Sequence, residues 1–116
     1  MQILNHPNII QYRDYRISGN SVFMVMELCE GGTLDDLLYR MQVHDTNKIL
    51  GYFSQVINGI KFMYDKKILH RDIKPSNLLV TKKNIIKIAD FGTSKMNRSS
   101  EMKLKTLVGT PLFFSP

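Results

Sequence analysis

The sequence predicts an α+β fold in which short strand pairs and helices occupy separate stretches of chain, and three observations carry that reading. Residues 9–15 and 22–28 read as two strands around the turn Ser18-Gly19-Asn20-Ser21. Residues 46–66 repeat apolar side chains at three- and four-residue steps, as a helix requires. Leu78-Leu79-Val80 and residues 85–89 read as a second strand pair around Lys82-Lys83-Asn84. Both pairs are close enough in sequence to fold as antiparallel hairpins.

In chain order, His6-Pro7-Asn8 breaks the chain ahead of the first strand. After the first hairpin, Glu30-Gly31-Gly32 interrupts the strand pattern, and Thr33 is placed to cap a short helix over residues 34–41. In the longer helix Ile49, Leu50, Phe53, Val56, Ile57, Ile60, Met63 and Tyr64 fall on one face, while Gly51 and Gly59 lower helix propensity slightly. Ile68-Leu69-His70 is a short apolar, strand-like lead into a loop. Residues 92–109 are polar and rich in Ser, Lys and Thr. They read as a surface loop longer than compact domains normally carry, and such loops are functional or disordered.

A 116-residue chain that is 43% hydrophobic and 22% charged can bury a core and falls outside disordered and collagen-like compositions. The formal charge of +6 is dispersed along the second half with no run of five like charges. A solvated basic face is therefore the plainer reading, and no dedicated nucleic-acid surface is expected. The single cysteine, Cys29, permits no internal disulfide and suits a reducing compartment. The expected location is cytoplasmic, with the nucleus left open. No run of 18 apolar residues and no basic start followed by an apolar core occurs, so neither a membrane span nor a signal peptide is expected.

Phosphoryl transfer requires a group that orients the attacking hydroxyl, metal ions on the nucleotide phosphates and positive charge near the transferred group. The segments His70-Arg71-Asp72-Ile73-Lys74-Pro75-Ser76-Asn77 and Asp90-Phe91-Gly92 contain those residue types. The second hairpin folds the chain back so that Asn77 and Asp90 can sit side by side at its open end. Asp72, Asn77 and Asp90 offer hard oxygen ligands that suit magnesium. The first segment resembles the catalytic loop of eukaryotic protein kinases and the second their magnesium-binding motif. The resemblance implies that Asp72 orients the substrate hydroxyl and accepts its proton, and that Lys74 neutralises the γ-phosphate of ATP. It implies that Asn77 holds one Mg2+ and Asp90 the Mg2+ bridging the phosphates. His70 and Phe91 are implied to be packing residues. Lys74-Pro75 resembles serine/threonine rather than tyrosine kinases, which implies a protein Ser or Thr hydroxyl as substrate.

Residues 22–32 resemble the strand and hinge between the two kinase lobes. By that resemblance the main chain at Glu27 and Cys29 meets the adenine edge, Met26 is the gatekeeper and Leu79 supplies an apolar floor. Plain core packing accounts for Met26 and Leu79 nearly as well, and Cys29 is read as a small hinge residue, not a reactive thiol. The stretch Gly109-Thr110-Pro111-Leu112-Phe113-Phe114-Ser115-Pro116 resembles the substrate-docking segment, with Ser115 in place of the usual Ala. Thr110 is implied to hydrogen-bond Asp72 and Lys74. Residues 103–110 resemble an activation segment, with Thr106 the first choice of phosphosite. A phosphate there could pair with Arg71, and an upstream activating kinase would be a partner. Against it stands the less favoured reading that Thr106, Ser99 and Ser100 are merely solvated loop residues.

The resemblance spans the chain and implies a partial protein-kinase-like fold. Residues 1–28 would end the N-terminal lobe, 29–33 form the hinge, and 34–116 run from the start of the C-terminal lobe through the activation segment. The family's Gly-rich loop, strand Lys and helix Glu would lie before His6, and no Gly-x-Gly-x-x-Gly occurs in the sequence. The helices that normally cover the long helix would lie beyond Pro116. A large apolar face is therefore expected to stand uncovered, and the isolated segment is expected to be inactive. Beside an ATP-dependent protein serine/threonine kinase stand two other readings. One is a truncated, non-catalytic kinase-like binding module, and the other a phosphotransferase acting on small molecules. The second fits less well, because its catalytic loop would lack the Lys-Pro-x-Asn arrangement and the Gly-Thr-Pro segment.

Overall fold

The turn at Gly19 and Asn20 closes the first hairpin where the sequence places it. The computed structural model, which describes residues 4–41, 45–91 and 95–96, pairs β1 (Tyr12–Ser18) antiparallel with β2 (Ser21–Met26). The first strand was expected from residue 9 but begins at Tyr12, because Ile9 and Ile10 are drawn into the core at 1% exposure each. That segment joins the other hairpin instead. Ile88 N–H donates to Asn8 O and Ile10 N–H to Ile88 O, both at 2.9 Å. Burying two isoleucines contributes about 1.5–3 kcal/mol each, more than extending an exposed ladder would.

Helix α1 (Leu34–Met41) begins at a reciprocal cap. Asp36 N–H donates to Thr33 Oγ1 at 3.0 Å, and Thr33 N–H donates back to Asp36 Oδ2 at 3.2 Å. Helix α2 (Thr46–Asp65) is capped by Asp45, whose Oδ1 accepts from the amides of Asn47 and Lys48 at 3.0 and 3.2 Å. The buried face of α2 is Tyr52, Val56, Gly59 and Met63. Of the residues assigned to its apolar stripe, Val56 and Met63 are buried. Ile49, Leu50, Phe53, Ile57, Ile60 and Tyr64 are exposed, which is the uncovered apolar face the sequence led us to expect.

Past α2 the chain forms β3 (Ile68–Leu69), one tight helical turn at Pro75–Asn77, then β4 (Leu78–Val80) and β5 (Ile86–Ile88), which pair antiparallel. A further strand, β6 (Lys95–Met96), pairs with β3 inside the stretch read as loop. Two residues give no alternation from which a strand could be read. The core joins Leu78, Val80, Ile86 and Ile88 to Tyr52, Val56 and Met63 of α2, with Ile9, Leu34 and Ile68 around them. No helix among the described residues is long and apolar enough to cross a membrane.

Candidate functional site

The β4–β5 hairpin has two unlike faces because its strands alternate. Leu78, Val80, Ile86 and Ile88 are buried toward α2, while Leu79 and Lys87, a cross-strand pair, are half-buried on the opposite face. Lys87 Nζ meets Glu27 Oε1 there at 2.9 Å, and the same carboxylate oxygen accepts Gln11 N–H at 2.8 Å. The segment after β2 thus lies against the face that carries Leu79. It is held there by main chain as well. Gly31 N–H donates to Val80 O at 2.8 Å and Val80 N–H to Gly32 O at 2.9 Å. A Cβ on Gly31 would sit 2.7 Å from that Val80 oxygen, and Gly32 has φ +77°, so both positions need glycine.

Along this segment Glu27 N–H is used by Gln11 O at 2.9 Å, and the Cys29 carbonyl accepts Gly32 N–H at 3.4 Å. These bonds leave unused the Glu27 carbonyl and the Cys29 amide, an acceptor and a donor two residues apart, and the main chain of Leu28 between them. Met26 ends β2 at 38% exposure. Burial, and secondarily the Glu27 charge, push the Cys29 thiol up from its ordinary value, which suits an unreactive residue.

At the open end of the hairpin Ala89 N–H donates to Asn77 O at 2.9 Å, so Asp90 follows immediately beyond the level of Asn77. Asn77 is buried and its amide nitrogen donates twice to Asp72, to the main-chain oxygen at 2.8 Å and to Oδ2 at 2.9 Å. Lys74 Nζ lies 3.1 Å from the same Oδ2. His70, 4% exposed, accepts Asp72 N–H at Nδ1 (3.3 Å), so its Nε2 carries the proton donated to Ala89 O at 2.8 Å. Burial lowers the His70 pKa from its ordinary value, against weaker raising effects from the Ala89 bond and the charges of Asp72 and Asp90. The ring stands edge-on to Phe91 at 5.1 Å, and Tyr12 meets Phe91 from the other hairpin at 6.1 Å. One neutral histidine thereby ties the Asp72 loop to the strand that delivers Asp90.

The structure brings Asp72, Lys74 and Asn77 into direct contact and sets Asp90 beside them, exposed, with φ +60°. Arg71 is half-buried with φ +69°. Thr106, Thr110 and Gly92 lie outside the described residues. The donor set fits magnesium. Asn77 spends its nitrogen on Asp72 and leaves Oδ1 to present, and Asp90 supplies a carboxylate. No group of three or more His, Cys, Asp or Glu able to hold a metal occurs among the described residues. A small hard cation that keeps its waters and takes substrate phosphates as further ligands needs no such cage. Sequence reasoning missed Lys87, Gln11 and Tyr12. A lysine inside the apolar run Ile85-Ile86-Lys87-Ile88 was the one legible signal.

A family model described as a protein kinase domain matches residues 1–116. The chain is 33% identical over 126 residues to the MAP kinase kinase kinase wis4 of Schizosaccharomyces pombe, covering 100% of this chain and 9% of that protein. It is 36% identical over 118 residues to the serine/threonine-protein kinase Nek1 of Mus musculus, covering 97% of this chain and 10% of that protein. To the CBL-interacting serine/threonine-protein kinase 21 of Arabidopsis thaliana it is 37% identical over 118 residues, covering 100% of this chain and 27% of that protein. The chain thus spans a small part of each relative's length.

Proposed function

The chain belongs to the protein kinase family, and from that premise we propose that it carries the hydroxyl-orienting and metal-binding half of a serine/threonine kinase. The observation that supports this best is the convergence of Lys74 Nζ and Asn77 Nδ2 on one oxygen of Asp72, at 3.1 and 2.9 Å. An aspartate so held is fixed in direction while its charge is balanced. It can take the proton of a Ser or Thr hydroxyl as that oxygen attacks the γ-phosphorus of ATP and the bond to ADP breaks. Lys74 offsets the negative charge of the transferred phosphoryl. Asn77 Oδ1 and the Asp90 carboxylate would hold Mg2+, which when bound neutralises and aligns the phosphates. Adenine would pair with the Glu27 carbonyl and Cys29 amide, with Met26 and Leu79 as its apolar neighbours. Thr106 would be the site an upstream kinase phosphorylates, with Arg71 its counter-charge, and Thr110 would reach Asp72 and Lys74.

The test uses the full-length protein that contains this chain, with labelled ATP and a mixed Ser/Thr peptide substrate. Asp72→Asn is expected to lower kcat by at least about 100-fold, the lower range for a positioned general base, while nucleotide still binds. Transfer at the wild-type rate by Asp72→Asn would overturn the assignment. A wild-type protein that binds partners or nucleotide yet transfers no phosphate would replace it with the non-catalytic binding module.

A further inference from the structure

The strand that delivers Asp90 is held on its second edge in an unusual way. At Ile88 a chain segment does the pairing, through Asn8 O and Ile10 N–H, both at 2.9 Å. At Ile86, which is 0% exposed, side chains take that place. Gln55 of α2 accepts Ile86 N–H on Oε1 at 2.8 Å, and Asn8 Nδ2 donates to Ile86 O at 3.1 Å. Asn8 Nδ2 also donates to Gln55 Oε1 at 3.2 Å, and Gln55 Nε2 reaches Asn84 O at 3.4 Å at the hairpin turn. One amide therefore ties the helix, the Asn8 segment, the strand and the turn.

We propose that Gln55 is a positioning residue for Asp90, acting through β5; the inference rests on the kinase reading above. A buried amide such as Ile86 N–H cannot turn to water, so without Gln55 the strand must shift to find a partner. Ile86 and Asp90 are four residues apart, about 13 Å along a strand, so a tilt of about 5° at Ile86 moves Asp90 by about 1 Å. Displacement on that scale is enough to spoil a metal-binding geometry.

The test compares the full-length wild type with Gln55→Met, which keeps length and volume and loses the amide, and with Gln55→Glu, which keeps the acceptor oxygen. A third variant, Tyr52→Phe, loses the 3.2 Å bond from Tyr52 Oη to Asn84 Oδ1 without touching the β5 backbone. Two readouts are taken: amide hydrogen exchange over residues 86–89 without metal, and binding of a fluorescent ATP analogue titrated with Mg2+. Gln55→Met is expected to speed exchange and to raise the Mg2+ needed for half-saturation, each about tenfold, as loss of a partner behind a metal ligand does. Gln55→Glu should recover most of both, and Tyr52→Phe should change neither. Unaltered exchange or unaltered Mg2+ dependence in Gln55→Met, beside a wild type that binds the analogue with Mg2+, overturns the inference. A wild type that takes up no Mg2+–nucleotide overturns the kinase reading instead.

Discussion

Two glycines on one helix make a matched pair for testing how tightly α2 lies on the site-bearing hairpin. At Gly51 an added Cβ would meet nothing within 4 Å, whereas at Gly59 it would stand 2.6 Å from Ile88 Cδ1 and 3.1 Å from Asn8 O. Ile88 is 0% exposed and its N–H and C=O are both bonded to the 8–10 segment, so the strand and the Asn8 carbonyl are held, and the contact is relieved only by turning the end of the buried Ile88 side chain. Gly→Ala in a helix interior gains about 0.8–1.0 kcal/mol of propensity. Overpacking a close-packed core costs about 1–3 kcal/mol. Gly51→Ala should therefore stabilise by about 0.8–1.0 kcal/mol, and Gly59→Ala should destabilise by anything up to about 2 kcal/mol. The separation between them should be about 1–3 kcal/mol. Denaturant unfolding of the protein bearing each substitution measures the difference. Equal stabilisation by the two alanines would refute the close approach of α2 to β5.

Two further outcomes follow from the same packing. A double-mutant cycle on Lys87→Met and Glu27→Gln should show coupling of about 1 kcal/mol or more, since the pair is mostly shielded at 13% and 21% side-chain exposure; additivity within about 0.3 kcal/mol would sink that reading. His70 has its pKa lowered below 6.5, so the unfolded chain binds the proton more readily than the folded one. Stability from its neutral ring is complete above about pH 6.5 and is lost as pH falls from there toward the lowered folded value. Acid-unfolding profiles of wild type and His70→Gln should therefore diverge below that point, and parallel profiles would contradict the buried neutral imidazole.

What could be read in advance divides along a physical line. Both turns, the α1 cap at Thr33 and the pairing of β4 with β5 depend on residues a few positions apart, and local chemistry in the sequence locates them. The destination of residues 8–10 does not, because nothing in Ile9-Ile10 distinguishes a strand that joins β1 from one that lies on Ile88 nearly 80 positions away. Which part of the α2 stripe meets the core could not be read for a related reason. The apolar side chains form one broad stripe, and periodicity alone cannot say which edge of it meets the core. Gln55 and Gly59 mark the buried stripe, one by bonding β5 and the other by absence of a side chain. The site residues Asp72, Lys74, Asn77 and Asp90 were legible as a motif, but the shared Asp72 oxygen was not.

The β4–β5 hairpin explains why so short a stretch can assemble so much of the site. Its apolar face is locked to α2, which fixes the hairpin as a rigid body. Its other face carries Leu79 and Lys87, and contacts to Glu27 and the Val80 main chain set where the segment after β2 runs. Its open end carries both Asn77 and Asp90, whose separation is set by the ladder that runs out through the Ala89 N–H bond to Asn77 O. A change anywhere on the locked face is therefore transmitted to that end as a tilt, while a change on the face that carries Leu79 and Lys87 leaves Asp90 in place. On the proposed function, substitutions at Lys87 and Gln55 should therefore move nucleotide affinity and Mg2+ dependence independently.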